Sequence, residues 1–134
     1  MGYCIFQRDG KFKIASADKA GALSALKKLS KGDYAWVDHL GLEQADTLEQ
    51  AIRAWRWHAT TDEQGNIDDL YFNGEKYGDE EVLLKVLALY AESGSWVEMQ
   101  GEDGERWMWK FERRQLVTYN AKITFDEPSY SYET

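Results

Sequence analysis

Three stretches of the chain share one hydrophobic grammar: a short alternating run, a polar turn ending in glycine, then a second run. A three-residue loop with glycine last fits a type I turn closed by a left-handed residue, which joins antiparallel strands through a bulge. In "YCIFQRDGKFKI" (3–14) that loop is Arg8-Asp9-Gly10, which pairs Phe6 with Phe12 and Cys4 with Ile14 on one face. In "WHATTDEQGNIDDLYF" (57–72) it is Glu63-Gln64-Gly65, and counting outward pairs Thr61 with Ile67, His58 with Leu70 and Trp57 with Tyr71. In "GSWVEMQGEDGERWMWKF" (94–111) it is Glu102-Asp103-Gly104, which sets Met99 opposite Trp107 and Val97 opposite Trp109, with Phe111 next on that side. Two Trp, a Phe, a Val and a Met then share one face, as a core requires. Trp96 and Met108 fall on the polar face beside Glu98 and Arg106, where they are either covered by a helix or the C-terminal tail or serve as contact residues. A fourth segment, "QLVTYNAKITF" (115–125), alternates Val117, Tyr119, Ala121, Ile123 and Phe125 with polar residues and predicts a half-buried strand. "YAWV" (34–37) suits a further short strand.

Between these runs the apolar period lengthens to that of a helix. Ser16 is placed to cap "ADKAGALSALKKLSK" (17–31), with Leu23, Leu26 and Leu29 as its stripe and Gly32 as its stop. Thr47 and Gln50 form a capping box ahead of Leu48, Ala51, Ile52 and Trp55, and this helix should end near Arg56. "DEEVLLKVLALYAES" (79–93) starts at Asp79 with Glu80 and Glu81 at the positive end of the dipole. It is apolar nearly all round, which predicts the most buried helix. The fold class expected is α+β: a mostly antiparallel sheet of about six to seven strands built from hairpins, with three helices packed on it. Residues 1–127 form one domain, and 128–134 read as a polar tail, since Pro128 breaks pairing and nothing after it is periodic.

With 43% hydrophobic and 30% charged residues the chain has the composition of a globular domain, which excludes global disorder. Its longest mostly apolar run, "VLLKVLALYA" (82–91), is far short of a membrane span. No secretory signal pattern opens the sequence, and Cys4 is the only cysteine, so an intrachain disulfide is excluded and a cytoplasmic location is expected. The net charge of -8 is concentrated in the middle. Residues 1–31 carry seven basic against two acidic residues, whereas residues 32–105 carry four against 18. Such a field favours solubility and basic partners and opposes nucleic acid.

The combination "FNGEKYGDEE" (72–81), a helix, then "GSWVEMQGEDGERWMWKF" resembles a pattern of small uncharacterised bacterial and phage α+β proteins. It covers roughly the second half of the chain. The resemblance implies a stand-alone bacterial or phage-borne domain, and it brings no activity and no catalytic residues.

Candidate chemistry is sparse. His39 and His58, the only histidines, sit in no catalytic or metal-ligand spacing. In the register above, His58 shares a face with Leu70 and Phe72, as a partly buried histidine bonded to backbone would. Cys4 shares a face with Phe6, Phe12 and Ile14, which predicts a buried, inert thiol. A calcium loop from Asp62 fails because glycine falls at the fourth position and not the sixth. No phosphate loop or nucleophile elbow is present, and no cofactor or metal is expected. The favoured reading is a non-catalytic acidic protein that binds a protein with a basic surface, possible types being immunity or anti-defence inhibitors. Its contact residues would be Asp62, Glu63, Asp68, Asp69 and Glu75, with Trp96, Glu98 and Met108. One alternative is a small-ligand domain or weak hydrolase using His58 or His39 with a carboxylate. Another is an RNA-binding domain using Lys11, Lys13, Lys27 and Lys28 of the basic first third.

Overall fold

A computed structural model describes residues 2–122, 124–126 and 128. The strongest sequence pattern forms as expected: β4 (Ser95–Gly101) and β5 (Arg106–Glu112) pair with Met99 opposite Trp107 and Val97 opposite Trp109. Gly104 takes the left-handed conformation, φ 88°, that the turn demands. β5 then turns back into β6 (Gln115–Asn120) through Arg113 and Arg114, both at positive φ (49° and 67°). A two-residue turn of this kind matches the strand twist but sets the parity of the next strand. Leu116 therefore lies opposite Phe111 and packs against the core, while Val117 and Tyr119 fall on the other face, reversing the expectation. The strand also stops at Asn120, short of residue 125. Ala121 and Phe125 are exposed, and Ile123 lies outside the described residues, as does the tail beyond Pro128.

The expected hairpin at Arg8-Asp9-Gly10 does not form. Residues 5–11 run as one strand, β1 (Ile5–Lys11), antiparallel to β4, with a bulge between Gln7 and Asp9. A glycine-containing polar triplet can make either a turn or a bulge, and the open edge of β4 decides in favour of the bulge. Gly10 is needed there for close approach, since a Cβ would lie 3.3 Å from both Trp96 O and Val97 Cγ1. Phe6 and Phe12 consequently part: Phe12 is buried and Phe6 is 48% exposed. Cys4 is half-buried beside Lys76 Nζ (3.4 Å) and lies outside the core, contrary to expectation.

The strands divide into two antiparallel sheets, β1-β4-β5-β6 and a separate β2-β3 pair, so there is no single larger sheet. β2 (Trp57–Thr61) and β3 (Ile67–Phe72) keep the expected pairing of Thr61 with Ile67, then a bulge shifts the register by one. His58 thus faces Tyr71 and Trp57 faces Phe72. Trp57, Ala59, Leu70 and Phe72 go inward, while His58 stacks on Tyr71 at 4.9 Å on the opposite face from Leu70. The two sheets are joined by a side chain acting as a surrogate peptide. The Gln7 amide donates to Leu70 O (3.0 Å) and accepts from Phe72 N (2.8 Å).

Among the described residues four α-helices, one more than expected, cover the inner side. α1 (Lys19–Lys27) follows a 3-10 turn at Ser16–Asp18 and ends before Gly32. Ser16 makes no cap, and its N–H donates to Asn66 Oδ1 instead. Residues 34–37 form turns and not a strand, leading into the short α2 (His39–Glu43), capped by Asp38. α3 (Leu48–Arg53) has its cap from Thr47 to the Gln50 N–H (3.2 Å), and Leu48, Ala51, Ile52 and Trp55 are all buried. α4 (Glu80–Leu87) buries Leu83, Leu84 and Leu87, with Val82 and Val86 at the margin of the core. None of the helices among the described residues is long and apolar enough to cross a membrane.

Replacing Gln7 with Leu strands two backbone groups of β3 without partners. The expected cost is about 2–3 kcal/mol, read as a lower urea midpoint at unchanged slope. Gln7→Glu keeps the acceptor for Phe72 N but sets a second oxygen against Leu70 O, so it should not restore the native midpoint.

Candidate functional site: an acidic aromatic cleft

The inward face of β5 does not end where the core ends. Trp109 is buried, but two residues earlier on the same face Trp107 is only half-buried. Beyond it the sheet opens into a cleft of about 460 Å³ against the start of α4. Tyr77, Trp107 and Trp109 form its walls, with Tyr77 6.4 Å from Trp107 and 6.3 Å from Trp109 between ring centres. Trp107 meets Trp109 nearly edge-on, at 5.7 Å and 79°. Glu81 and Glu105 supply two carboxylates, one from α4 and one from the β4–β5 turn. The Tyr77 hydroxyl donates to Glu81 and the Tyr3 hydroxyl to Glu105. Thr118 and Asn120 complete the β6 side.

These hydroxyls stay protonated. Burial, then the hydrogen bond to Glu81 and its charge, push Tyr77 far above the usual phenol range. The bond to Glu105 raises Tyr3. Neither carboxylate has an ion-pair partner among the described residues, and the described lining contains no Lys, Arg or His. Both remain hydrogen-bond acceptors with lone pairs to spare.

Tyr77 is held in place from below by Arg56. That residue lies in the turn between α3, which ends at Arg53 and so short of the expected end, and β2; it has positive φ (71°) and turns its guanidinium inward. Nη1 donates to Lys76 O and Nη2 to Gly78 O, both at 2.6 Å, so the carbonyls on either side of Tyr77 share one cation. Nη2 also pairs with the Glu80 carboxylate, whose other oxygen accepts from Gly78 N (2.5 Å). The Trp36 ring lies 4.8 Å and the Phe72 ring 5.4 Å from the guanidinium carbon. Gly78 admits Trp36 here, since a Cβ would stand 2.1 Å from the indole. Burial pushes the Glu80 carboxyl up to about 7, against the opposing pull of the Gly78 N–H and Arg56. Finally, Tyr77 N donates to Tyr3 O (2.7 Å), which brings the two tyrosines to one rim.

The acidic residues picked out in the sequence lie elsewhere, and several have partners within the chain. Asp62 organises its own turn, accepting from Gln64 N, Asn66 N and Asn66 Nδ2. Slight burial raises its carboxyl, but these bonds and Lys13 together bring it below the ordinary value. Asp68 accepts from Thr60 Oγ1 (2.6 Å) and Asp69 from Leu70 N (2.9 Å). Asp62 and Asp68 line a polar cleft together with Lys11 and Lys13, so residues of the acidic-surface and RNA-binding readings sit side by side. Lys27 donates to Ala45 O, and Lys28 lines a shallow cleft along α1 with Leu23. Glu63 and Glu75 are exposed. Glu98 is bracketed by Arg8 (3.6 Å) and Arg106. Trp96 is half-buried between Lys11 and Lys110 in the strand register, and Met108 is half-buried opposite Tyr119. Lysine stems cover apolar surface well in such a position.

Neither histidine lines the cleft. Both ring nitrogens of His39 meet carbonyl oxygens, Ser30 O at 2.9 Å and Tyr34 O at 2.7 Å. Carbonyls only accept, so only the protonated ring satisfies both, and in that form it ties Ser30 and Tyr34 to the start of α2. Those two bonds, helped by Asp33 and Asp38, raise it above its ordinary value despite some burial. Among the described residues, no three His, Cys, Asp or Glu side chains gather as a metal-holding group. The polar cleft residues that sequence reasoning missed are Tyr3, Tyr77, Glu81, Glu105, Thr118 and Asn120. The one signal for them was Trp107, whose apolar row outruns what α4 can cover.

Arg56→Met, which leaves Glu80 buried without its cation, should cost about 3–5 kcal/mol in urea unfolding and increase protease nicking of residues 73–79. The His39 contribution has a definite sign. Its folded value is raised, so the stabilisation is complete below the unfolded value of 6.5 and is lost as pH rises through the folded value. Unfolding midpoints at about pH 5.5 and about pH 9 should therefore converge toward those of His39→Ala at the higher pH. No protein-family model, no curated protein and no solved structure matches this chain, so the arrangement of its own residues carries the functional argument.

Proposed function

We propose that this chain is a non-catalytic binding protein that docks a partner of basic surface through the acidic aromatic cleft. One observation supports the reading above all. Two carboxylates, each bonded to a tyrosine hydroxyl and neither to a cation, stand beside three aromatic rings in a cleft whose described lining has no basic residue. Fixed negative charge next to low-dielectric walls attracts cations more strongly than the same charge in open water. Aromatic faces add a cation–π attraction of about 0.5–2 kcal/mol. The overall charge of -8 works in the same direction by steering a basic partner inward. An inhibitor of the immunity or anti-defence type, in a bacterial or phage setting, is the role that fits such a surface. The acids at Asp62, Asp68 and Asp69, already bonded within the chain, are secondary to Glu81 and Glu105.

Comparative capture tests the reading. A protein retained by the native chain and by an Asp68→Lys control, but lost on Glu81→Lys with Glu105→Lys, is the expected result. Its retention should weaken steeply with added salt. Capture lost with Asp68→Lys and kept by the cleft variant would move the interface to the β2–β3 turn and overturn the assignment of the cleft.

A further inference from the structure

Resting on that reading, we infer that the cleft is a receptor for one guanidinium group, an arginine side chain projecting from the partner, and not for a lysine or a quaternary ammonium. Two features of the geometry separate these cations. The two carboxylates come from different elements, Glu81 from α4 and Glu105 from the β4–β5 turn, and both line the cleft. A guanidinium spreads five N–H donors around a plane and can serve both, whereas an ammonium offers three from a point and a quaternary ammonium none. Each carboxylate receives one tyrosine hydroxyl, which orients it and leaves its remaining lone pairs for a ligand.

The walls carry the second argument. Trp107 is half-buried and Tyr77 is 36% exposed, and their ring planes lie 32° apart. Partly exposed, roughly aligned aromatic rings suit a flat delocalised cation that stacks, and stacking costs guanidinium little because it is weakly hydrated. A quaternary ammonium is held by aromatic faces and charge alone and has no N–H to donate. The directional acceptors of Glu81, Glu105 and Asn120 would go unused by it. The fold itself already sets one guanidinium, that of Arg56, against aromatic faces and backbone carbonyls on the other side of the Tyr77 loop. Because that loop is anchored before any ligand arrives, little ordering is left to be done on binding.

The experiment needs no partner. Tryptophan fluorescence of the full chain is titrated with the amide of acetyl-glycyl-arginyl-glycine, and with the same tripeptide carrying citrulline, lysine or trimethyl-lysine. The expected result is saturable binding of the arginine peptide, with citrulline, its neutral isostere, weaker by about tenfold or more and lysine and trimethyl-lysine also weaker. Glu81→Gln and Glu105→Gln should each weaken the arginine peptide by about fivefold, a loss that an Asp68→Asn control should not show. Equal binding of arginine and citrulline peptides, tighter binding of either lysine form, or no saturation would overturn the inference. Arginine-peptide failure alongside intact cleft-dependent capture removes the guanidinium assignment alone. Peptide binding alongside capture that ignores Glu81→Lys with Glu105→Lys removes the protein-docking reading and leaves a guanidinium site.

Discussion

The contact on which the rest depends is the ion pair between half-buried Arg56 and fully buried Glu80. Taking two charges out of water costs several kcal/mol per ion, and their attraction alone does not guarantee a net gain. What the pair secures is geometry. One guanidinium binds two carbonyls and a carboxylate, while that carboxylate closes on Gly78 N, so residues 76–80 are held from both ends. Trp36 and Phe72 pack on the same cation, which ties the loop before α2 and the end of β3 to the start of α4. Elements that share no strand pairing are fixed relative to one another through one side chain.

From this anchor the path to the cleft is short. Tyr77 lies between the two carbonyls that Arg56 holds, and Glu81 follows Glu80 in the helix. The opposite wall is an extension of the core. Val97, Met99, Trp109 and Phe111 are sealed, and the same row continues to Trp107, which is only half-buried beside the start of α4. The cleft therefore arises where a rigid sheet face overruns the helices covering it. A surface built on rigid elements keeps its aromatic and acidic groups in register without a ligand. Gln7 has a comparable role on the far side, joining β1 to β3 where no continuous ladder runs.

Charge is spent unevenly. Many of the acids that make the middle of the chain so negative serve local structure: Asp62 in its turn, Asp38 as a cap, Glu98 between two arginines. Such groups are compensated, and they say little about partners. Glu81 and Glu105 differ because their donors are neutral phenols, which orient a carboxylate without neutralising it. Net charge read from composition could not separate these two kinds of acid.

By itself the sequence determined the features whose causes are local. The β4–β5 register follows from alternation and a glycine that must be left-handed, and α3 follows from a cap and an apolar stripe running from Leu48 to Trp55. The turn of β2–β3 was legible for the same reason. Tertiary structure decided what depended on a distant edge or a single inserted residue. β1 became a bulged strand because β4 offered an unpaired edge some ninety residues away in sequence. One bulge turned His58 outward, and a two-residue turn of arginines, carrying no glycine signal, reversed the face of β6. The five residues of α2 are too few to show a period. The cleft was least legible of all, because Tyr3, Tyr77, Glu81 and Glu105 span 102 positions between the partners of a single hydrogen bond. Periodicity reports the environment of neighbours along the chain; a binding site made from separate segments exists only once buried contacts such as Arg56–Glu80 have brought them together.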